Sequence, residues 1–315
     1  MREDWKLAIV GLGGIGGLLA GPLVRQYGDR ISLVAHGKRG AALRERGLTL
    51  HSDVYGEFTV RPATVSETPA ELPVQDVVLI CVKNGNLPEV AQQIAPIVGP
   101  DTIVLTVMNG VTAGAVLRQG LNTGIVLESV IYTVSSAGAD YSITQLGNFT
   151  YLHTGAIPGD EIRAAAAKEL AAIFNGAGVE CRVAEDVRPA IWSKFVLNCA
   201  YNVATARWAC DIGAIKADPT RIEDCRALMS EARQVGLAMG VALPEDLVEK
   251  QLRRIRNTTD DSTSSLSRDF AVGRAGELEV FSGDVVRMAE QHGVPVPVTE
   301  QYYAALKEIA AGFSK

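Results

Sequence analysis

The sequence predicts an α/β fold in which a doubly wound parallel β-sheet precedes an all-helical C-terminal region. The first observation is the opening segment, residues 6–19, where a short apolar run leads into closely spaced glycines and then into apolar residues at helical spacing. The second is that runs typical of buried strands alternate with helical patterns as far as about residue 183. The third is that helical patterns dominate the remainder of the chain.

The opening segment carries the pattern G-x-G-x-x-G at Gly11, Gly13 and Gly16. The run Leu7–Val10 suits a buried strand, so these glycines would join a strand to a helix. The first glycine then permits a tight turn, the second lets the backbone approach a pyrophosphate, and the third lets helix and strand pack closely. The helix N-terminus offers unpaired N–H groups and a positive dipole end to phosphates. We therefore predict a Rossmann-type dinucleotide site, rather than a ligand-free turn, formed by Gly11, Gly13, Gly14, Ile15 and Gly16.

The other expected elements follow from hydrophobic periodicity. We expect strands at 31–35, 76–82, 102–107, 125–132 and 179–183, with a hairpin and a further strand within 48–65 and alternating stretches to about 153. Helices are expected at 87–98, 160–174, 189–207, 219–239, 244–256, 275–292 and 299–311, with a polar loop at 257–267. The domain boundary is expected near residue 186.

The residues after the second predicted strand bear on the choice between NAD and NADP. An acidic residue commonly ends this strand where NAD binds, because its carboxylate accepts a hydrogen bond from the ribose 2′-hydroxyl. This chain continues instead with His36, Lys38 and Arg39. These side chains could hold a 2′-phosphate, which favours NADP(H); the alternative is a solvated basic loop.

Polar residues also follow two later strands. Lys83 comes after the run at 76–82, and Asn109 follows the run at 102–107. Ligands of such sheets bind beyond the carboxyl ends of the strands, so both residues are candidate contacts at the edge that carries Gly11. A solvated strand end and a simple turn are the alternatives.

The predicted helix at 189–207 places three polar residues on one face. Lys194, Asn198 and Asn202 are spaced four residues apart on a segment that is otherwise largely apolar. Buried polar groups need partners, and a polar substrate can supply them. The pattern is equally consistent with the lining of a cleft and with an internal polar network.

Composition excludes several other classes of function. The net charge is −6 and no long basic run occurs, which argues against nucleic acid or an anionic membrane as a partner. The five cysteines form no C-x-x-C pair and the four histidines are scattered, so we expect no metal site. Scattered cysteines suit a reducing cytoplasm, and the short stretch before the first strand leaves no room for a signal peptide.

Taken in order along the chain, these residues resemble the ketopantoate reductase (2-dehydropantoate 2-reductase) family. The resemblance covers nearly the whole chain, and its later motifs are more specific than the glycine pattern. It is carried by the glycine motif, Val82-Lys83, Asn109-Gly110, Trp192-x-Lys194-x-x-x-Asn198-x-x-x-Asn202, Ser264-Ser265 and Glu277-x-Glu279-x-x-x-Gly283.

The resemblance implies an NADP-binding Rossmann domain at 1–185 and a helical catalytic domain at 186–315. It implies reduction of a 2-oxoacid, ketopantoate, to pantoate with NADPH, on the route to pantothenate and coenzyme A. Lys194 matches the general acid that protonates the ketone oxygen, and Glu277 matches the acid that orients the substrate. The family's other substrate contacts match Asn109, Asn198, Asn202 and Ser265. Its contacts at the cofactor match Lys83 and Asn109.

Several positions depart from the family pattern. The residue after the second strand, often Arg in the family, is His36, while Glu279, Ser282 and Val203 stand where the family often has Asp, Asn and Pro. These changes flank the expected site and leave the exact 2-oxoacid open. A related 2-oxoacid or 3-hydroxyacid dehydrogenase and a non-catalytic NADP(H) sensor are the alternatives. Apolar helices in the second domain could support a homodimer.

Overall fold

The structure is a computed structural model that describes residues 4–313. The expectation about the residues before the first strand rests partly on Met1–Glu3, which lie outside the described residues. The chain forms two compact units. The sheet unit contains the described residues up to Met108 together with Thr112–Val187, and the helical unit contains Asn109–Val111 and the described residues from Arg188 onward.

The sheet unit contains a ten-stranded sheet within the described residues. Its strands are β1 (Leu7–Val10), β2 (Ile31–Val34), β3 (Leu48–Ser52), β4 (Gly56–Val60), β5 (Thr64–Ser66), β6 (Gln75–Ile80), β7 (Val98–Thr106), β8 (Ile125–Ala137), β9 (Ile143–Gly155) and β10 (Glu180–Ala184). Its helices are α1 (Gly14–Tyr27), α2 (Gly37–Arg46), α3 (Leu87–Ile94), α4 (Ala113–Gly120) and α5 (Glu161–Gly176).

The strand order is β4-β3-β9-β8-β7-β6-β1-β2-β5, and β10 pairs with β9. Strand β1 lies between β2 and β6 and is parallel to both, so the predicted Rossmann-type sheet is confirmed. The hairpin expected within 48–65 is confirmed as the antiparallel pair β3–β4, and β8–β9 is a second antiparallel pair, which was not predicted. Their connections are too short for a parallel crossover, which needs a dozen or more residues.

The central strand is apolar on both of its faces because helices cover both sides of the sheet. Leu7 and Ile9 belong to one buried cluster with residues of α1 and α5, whereas Ala8 and Val10 belong to another with residues of α3 and α4. All four side chains are almost completely buried. This packing places the carboxyl ends of β1, β2 and β6 at one edge of the sheet.

The helical unit has no strand among its described residues. Its longest helices are α6 and α8, and its core is a separate buried cluster. Its helices are α6 (Arg188–Arg207), α7 (Ile212–Lys216), α8 (Pro219–Ala238), α9 (Leu247–Asn257), α10 (Ser265–Ala271), α11 (Asp284–His292) and α12 (Pro297–Ala311), with a π-helical turn at Glu279–Gly283.

Several local predictions are wrong in detail. The helix expected at 275–292 is α-helical only from Asp284, because a π-helical turn precedes it. The polar loop expected at 257–267 ends at α10, a short helix that begins at Ser265 after Ser264 caps it. Helices α2, α4 and α7 were not predicted. No helix in residues 4–313 has the length and apolar character required to cross a bilayer.

Candidate active site

The glycine turn between β1 and α1 has the geometry that its pattern demands. Gly11 adopts φ +93°, a backbone conformation that favours glycine. A Cβ on Gly16 would lie 1.9 Å from the backbone oxygen of Gly11, so only glycine allows α1 to pack this closely against the turn. A Cβ on Gly13 would have no neighbour within 4 Å, so the backbone there is open to a ligand.

The N-terminus of α1 is suited to a pyrophosphate. Gly13 is the N-cap residue, no side chain caps the helix, and the first turn contains no acidic residue. The exposed N–H groups and the helix dipole therefore face no competing negative charge from the helix itself. Gly14, the first residue of α1, is held from outside because Ser135 Oγ donates a 2.9 Å hydrogen bond to its carbonyl oxygen. Ile15 packs against the core beside the sheet.

The basic residues predicted to follow β2 lie on the first turn of a helix. This segment is not a loop, because α2 begins at Gly37 with His36 at its N-cap. Lys38 is exposed, while Arg39 is half-buried and donates a hydrogen bond through Nη1 to the carbonyl oxygen of Leu12, inside the glycine turn. The guanidinium also lies 4.9 Å from the centre of the Tyr141 ring, and burial lowers the pKa of Arg39. Arg39 thus joins the end of β2 to the glycine turn.

Lys83 lies beyond the end of β6 and precedes a short 3₁₀ turn at Asn84–Asn86. Its side chain is exposed. Because β6 is adjacent to β1 and parallel to it, Lys83 lies at the same edge of the sheet as the glycine turn.

Lys194 lies on α6 in the helical unit, where its ammonium is in an unfavourable environment. Burial lowers the pKa of Lys194 to about 8, and the charge of Glu277 offsets part of that effect. A lysine ordinarily remains protonated to much higher pH, so this side chain can release a proton near neutrality. Perturbed ionisation of this kind is characteristic of functional sites.

Glu277 and Asn109 are hydrogen-bonded within the helical unit. The Asn109 amide donates through Nδ2 to Glu277 Oε2 at 2.8 Å. The adjacent Gly110 has φ +92°, and a Cβ there would lie 2.8 Å from Val280, so the segment Asn109–Val111 packs tightly on the helical unit. The structure groups Asn109–Val111 with the helical unit, whereas the expected division assigns these residues to the domain at 1–185. Sequence order cannot show that Asn109, shortly after β7, contacts a residue 168 positions later.

Asn202 is almost completely buried, and its side chain organises the start of α10. Asn202 Oδ1 accepts hydrogen bonds from Ser265 Oγ at 3.1 Å and from the backbone N–H of Leu266 at 3.3 Å. The same helix face carries Asn198, which is half-buried. The structure therefore brings Asn202 and Ser265 together, and Asn202 Oδ1 belongs to an internal polar network.

Ser264 and Glu279, which the sequence analysis names only within the family motifs, form hydrogen bonds that stabilise the helical unit. Ser264 Oγ accepts from Thr205 Oγ1 at 2.7 Å and from the backbone N–H of Ser267 at 3.0 Å, which is the usual hydrogen bond of an N-cap serine. Glu279 accepts hydrogen bonds from Tyr303 and Arg287, and a Cβ on Gly283 would lie 2.5 Å from its carboxylate. Serine is a common N-cap residue, so Ser264 was a detectable capping signal, whereas the Glu279 network joins residues that are distant in sequence.

We expect Asn202→Ala to lower the free energy of unfolding by about 2 kcal/mol, because the Leu266 N–H loses its buried acceptor. Urea-induced unfolding measures the change. Asn198→Ala, on the same helix face but half-buried, is the control and should cost less. Equal stabilities of parent and Asn202→Ala would contradict a capping role and return Asn202 to the class of pure substrate contacts.

No group of three or more side chains suited to a metal ion occurs among residues 4–313. The chemistry available at these positions is that of an ammonium, a carboxylate, amides and hydroxyls. These groups can bind and protonate an oxygen-containing substrate. The sheet unit separately offers the glycine turn and the basic residues of α2 to a dinucleotide.

The chain is similar to characterised families over almost its full length. Family profiles described as "Ketopantoate reductase PanE/ApbA" and "Ketopantoate reductase PanE/ApbA C terminal" match residues 7–159 and 186–310. The 2-dehydropantoate 2-reductase of Mesorhizobium japonicum is 27% identical, with 97% of this chain and 98% of the relative covered.

Solved structures agree with this similarity. A PanE/ApbA family ketopantoate reductase from Ralstonia eutropha is 30% identical with a TM-score of 0.86, covering 97% of this chain and 98% of that one. The 2-dehydropantoate 2-reductase of Methylococcus capsulatus is 27% identical with a TM-score of 0.87, covering 98% of each chain. Since the two profiles together match most of the chain, the protein belongs to the ketopantoate reductase family of oxidoreductases, which act on CH–OH groups with a nicotinamide cofactor.

Proposed function

We propose that this protein catalyses the NADPH-dependent reduction of 2-dehydropantoate to pantoate. The observation that carries the proposal is the electrostatic pairing of Lys194 with Glu277, in which burial brings the lysine pKa to about 8. The relatives named 2-dehydropantoate 2-reductase support the choice of substrate, at 27% identity for the relative from Mesorhizobium japonicum. The proposal assigns acid chemistry to the helical unit and cofactor binding to the sheet unit.

Lys194 is the proposed general acid. Reduction of a ketone turns its carbonyl oxygen into an alkoxide, and an ammonium beside that oxygen stabilises charge that develops only in the transition state. The proton then passes from Nζ to the oxygen to give the hydroxyl of the product. Since the pKa of Lys194 is about 8, the ammonium is available at neutral pH and the proton is not held too tightly to transfer.

Glu277 is the proposed orienting group. Asn109 Nδ2 donates to its Oε2 at 2.8 Å and so limits rotation of the carboxylate. An oriented carboxylate oxygen can accept a hydrogen bond from a substrate hydroxyl, such as the one that 2-dehydropantoate carries. Its negative charge also favours the protonated form of Lys194. We propose further substrate contacts from Asn109, Asn198, Asn202 and Ser265.

The sheet unit contains residues that fit a dinucleotide. The open backbone at Gly13 and the uncapped N-terminus of α1 would receive the pyrophosphate. Lys38, Arg39 and Lys83 would supply positive charge along the same edge, and His36 is a further proposed contact there. When bound, the reduced nicotinamide supplies the hydride for the carbonyl carbon.

A screen of 2-oxoacids with NADPH and NADH, followed by nicotinamide absorbance, tests the proposal. We expect turnover with 2-dehydropantoate and a higher kcat/KM with NADPH. Preference for another 2-oxoacid would replace the substrate assignment. Cofactor binding without turnover of any 2-oxoacid would favour the NADP(H) sensor.

Lys38 and Arg39 are proposed to select the 2′-phosphate. Replacing both residues with Ala should raise the Kd of NADPH about tenfold or more while changing the Kd of NADH much less, because only NADPH carries the extra phosphate. Fluorescence titration of each cofactor measures the two constants. The double variant Arg254→Ala/Arg256→Ala, in the helical unit, is a charge-matched control. Equal losses for both cofactors would contradict the assignment.

We also propose that the protein acts in the cytoplasm, where its product would enter pantothenate and coenzyme A synthesis, and that it forms a homodimer through its apolar helices. Light scattering on the purified protein gives the mass directly. A monomer at micromolar concentration would contradict the dimer without affecting the proposed reaction.

A further inference from the structure

The carboxyl end of β5 lies beside the end of β2, where the ribose of a dinucleotide binds in this type of sheet. The two strands are parallel with Val34 opposite Ser66, and the Ala35 N–H donates to the Ser66 carbonyl oxygen at 3.0 Å. The next residue, Glu67, therefore emerges at the same edge as His36 and Gly37. The chain thus supplies an acid at this edge from a neighbouring strand, although β2 itself ends without one.

The Glu67 carboxylate contacts α2 at two points. Oε2 accepts the backbone N–H of Gly37 at 3.0 Å, at the first residue of the helix. Oε1 forms an ion pair with the guanidinium of Arg44, near the other end of the same helix. The hydrogen bonds from Arg44 and Gly37 lower the pKa of Glu67, so the carboxylate stays charged at neutral pH.

A charged carboxylate at this position has opposite consequences for the two nicotinamide cofactors. The 2′-hydroxyl of NADH can donate a hydrogen bond to a carboxylate, as it does to the acid that commonly ends this strand. The 2′-phosphate of NADPH is an anion, which the carboxylate repels, and Glu67 already occupies the Gly37 N–H and neutralises Arg44. Glu67 therefore opposes the positive charges of Lys38 and Arg39.

We propose that Glu67 is a specificity-determining residue of the cofactor site, which supports binding of NADH and limits the preference for NADPH. The proposal rests on the proposed use of a nicotinamide cofactor at this edge, and it refines the choice between the two forms. The acid of such a site commonly ends β2, whereas Glu67 lies about 30 residues later in the sequence. The parallel pairing of β2 and β5 brings Glu67 to the end of β2.

The test is calorimetric titration of the Glu67→Gln variant with NADPH, NADH and 2′,5′-ADP, a probe that carries the 2′-phosphate and lacks nicotinamide. Glutamine keeps an acceptor for the Gly37 N–H and removes the charge. We expect the Kd values of NADPH and 2′,5′-ADP to fall about tenfold, while that of NADH stays equal or rises. The binding measurement does not depend on turnover.

Glu71→Gln is the matched control. Glu71 Oε2 accepts the backbone N–H of Glu67 at 3.0 Å, so this substitution removes one nearby negative charge without touching α2. It should leave the ratio of the NADPH and NADH constants unchanged. If Glu67→Gln left the ratio of the two Kd values unchanged, or weakened the binding of both cofactors equally, the specificity role would be overturned. Glu67 would then serve only to hold α2 in place. If the parent protein bound neither cofactor, the proposed function itself would fail.

Discussion

Lys194→Met is expected to lower kcat for 2-oxoacid reduction by about 100-fold or more, because it removes the only group that we assign to protonation of the ketone oxygen. Methionine approximates the length of the lysine side chain, so the packing of α6 should be retained. Cofactor binding should change little, since the residues proposed to hold the dinucleotide lie in the sheet unit. Steady-state rates with saturating cofactor and substrate provide the measurement.

The pH profile distinguishes loss of a general acid from simple damage. Since the pKa of Lys194 is about 8, the parent should keep its reduction rate below that pH and lose it as the pH rises through that value and the ammonium deprotonates. The residual activity of Lys194→Met should lack this alkaline decline. Lys250→Met is the control, because Lys250 is an exposed lysine of α9 that pairs with Asp246. This variant should keep both the parental rate and the parental pH profile. A Lys194 variant with parental turnover would reject the assignment of the acid.

Gly16→Ala is expected to destabilise the sheet unit by about 3 kcal/mol. The new Cβ would lie 1.9 Å from the backbone oxygen of Gly11, and neither backbone can move without separating α1 from the turn that follows β1. We expect the melting temperature to fall by roughly 10 °C and cofactor affinity to fall with it, as measured by thermal unfolding with and without NADPH.

Gly13→Ala provides the contrasting control within the same motif. A Cβ there would meet nothing within 4 Å, and φ is −73°, so the fold should accept alanine with a change of about 0.5 kcal/mol or less. The methyl group would nevertheless stand where we propose that the pyrophosphate approaches, so the Kd of NADPH should rise. If Gly13→Ala bound NADPH normally, the cofactor would not approach this turn as proposed; if Gly16→Ala were as stable as the parent, the close packing would not matter.

Much of the sheet unit was predictable because local sequence determines it. Leu7–Val10 is buried on both faces and the glycines follow it at once, so strand, turn and helix were predicted together. Strands β2, β6 and β7 were predicted to within about four residues, because the buried part of each strand is a largely apolar run. The antiparallel pairing of β8 with β9 was not predictable, since similar strand patterns allow either direction.

The candidate acid site was only partly predictable. Helical spacing placed Lys194 and Asn202 on one face, and resemblance to the family added Glu277. The contact between Asn109 and Glu277 joins residues 168 positions apart, and the capping of α10 by Asn202 joins residues more than 60 apart. Hydrophobic periodicity in the sequence cannot predict such contacts, because they form only when the helices pack together.

The sequence by itself determined the strand–glycine–helix opening and the succession of sheet and helical units. Each of these depends on neighbours within one or two turns of chain, where backbone sterics and hydrophobic periodicity act directly. Only the tertiary structure decided that Asn109 packs with the helical unit and that Glu67 reaches the end of β2. It also accounts for a Lys194 pKa near 8, because desolvation and charge pairing depend on which distant groups the folded chain brings together.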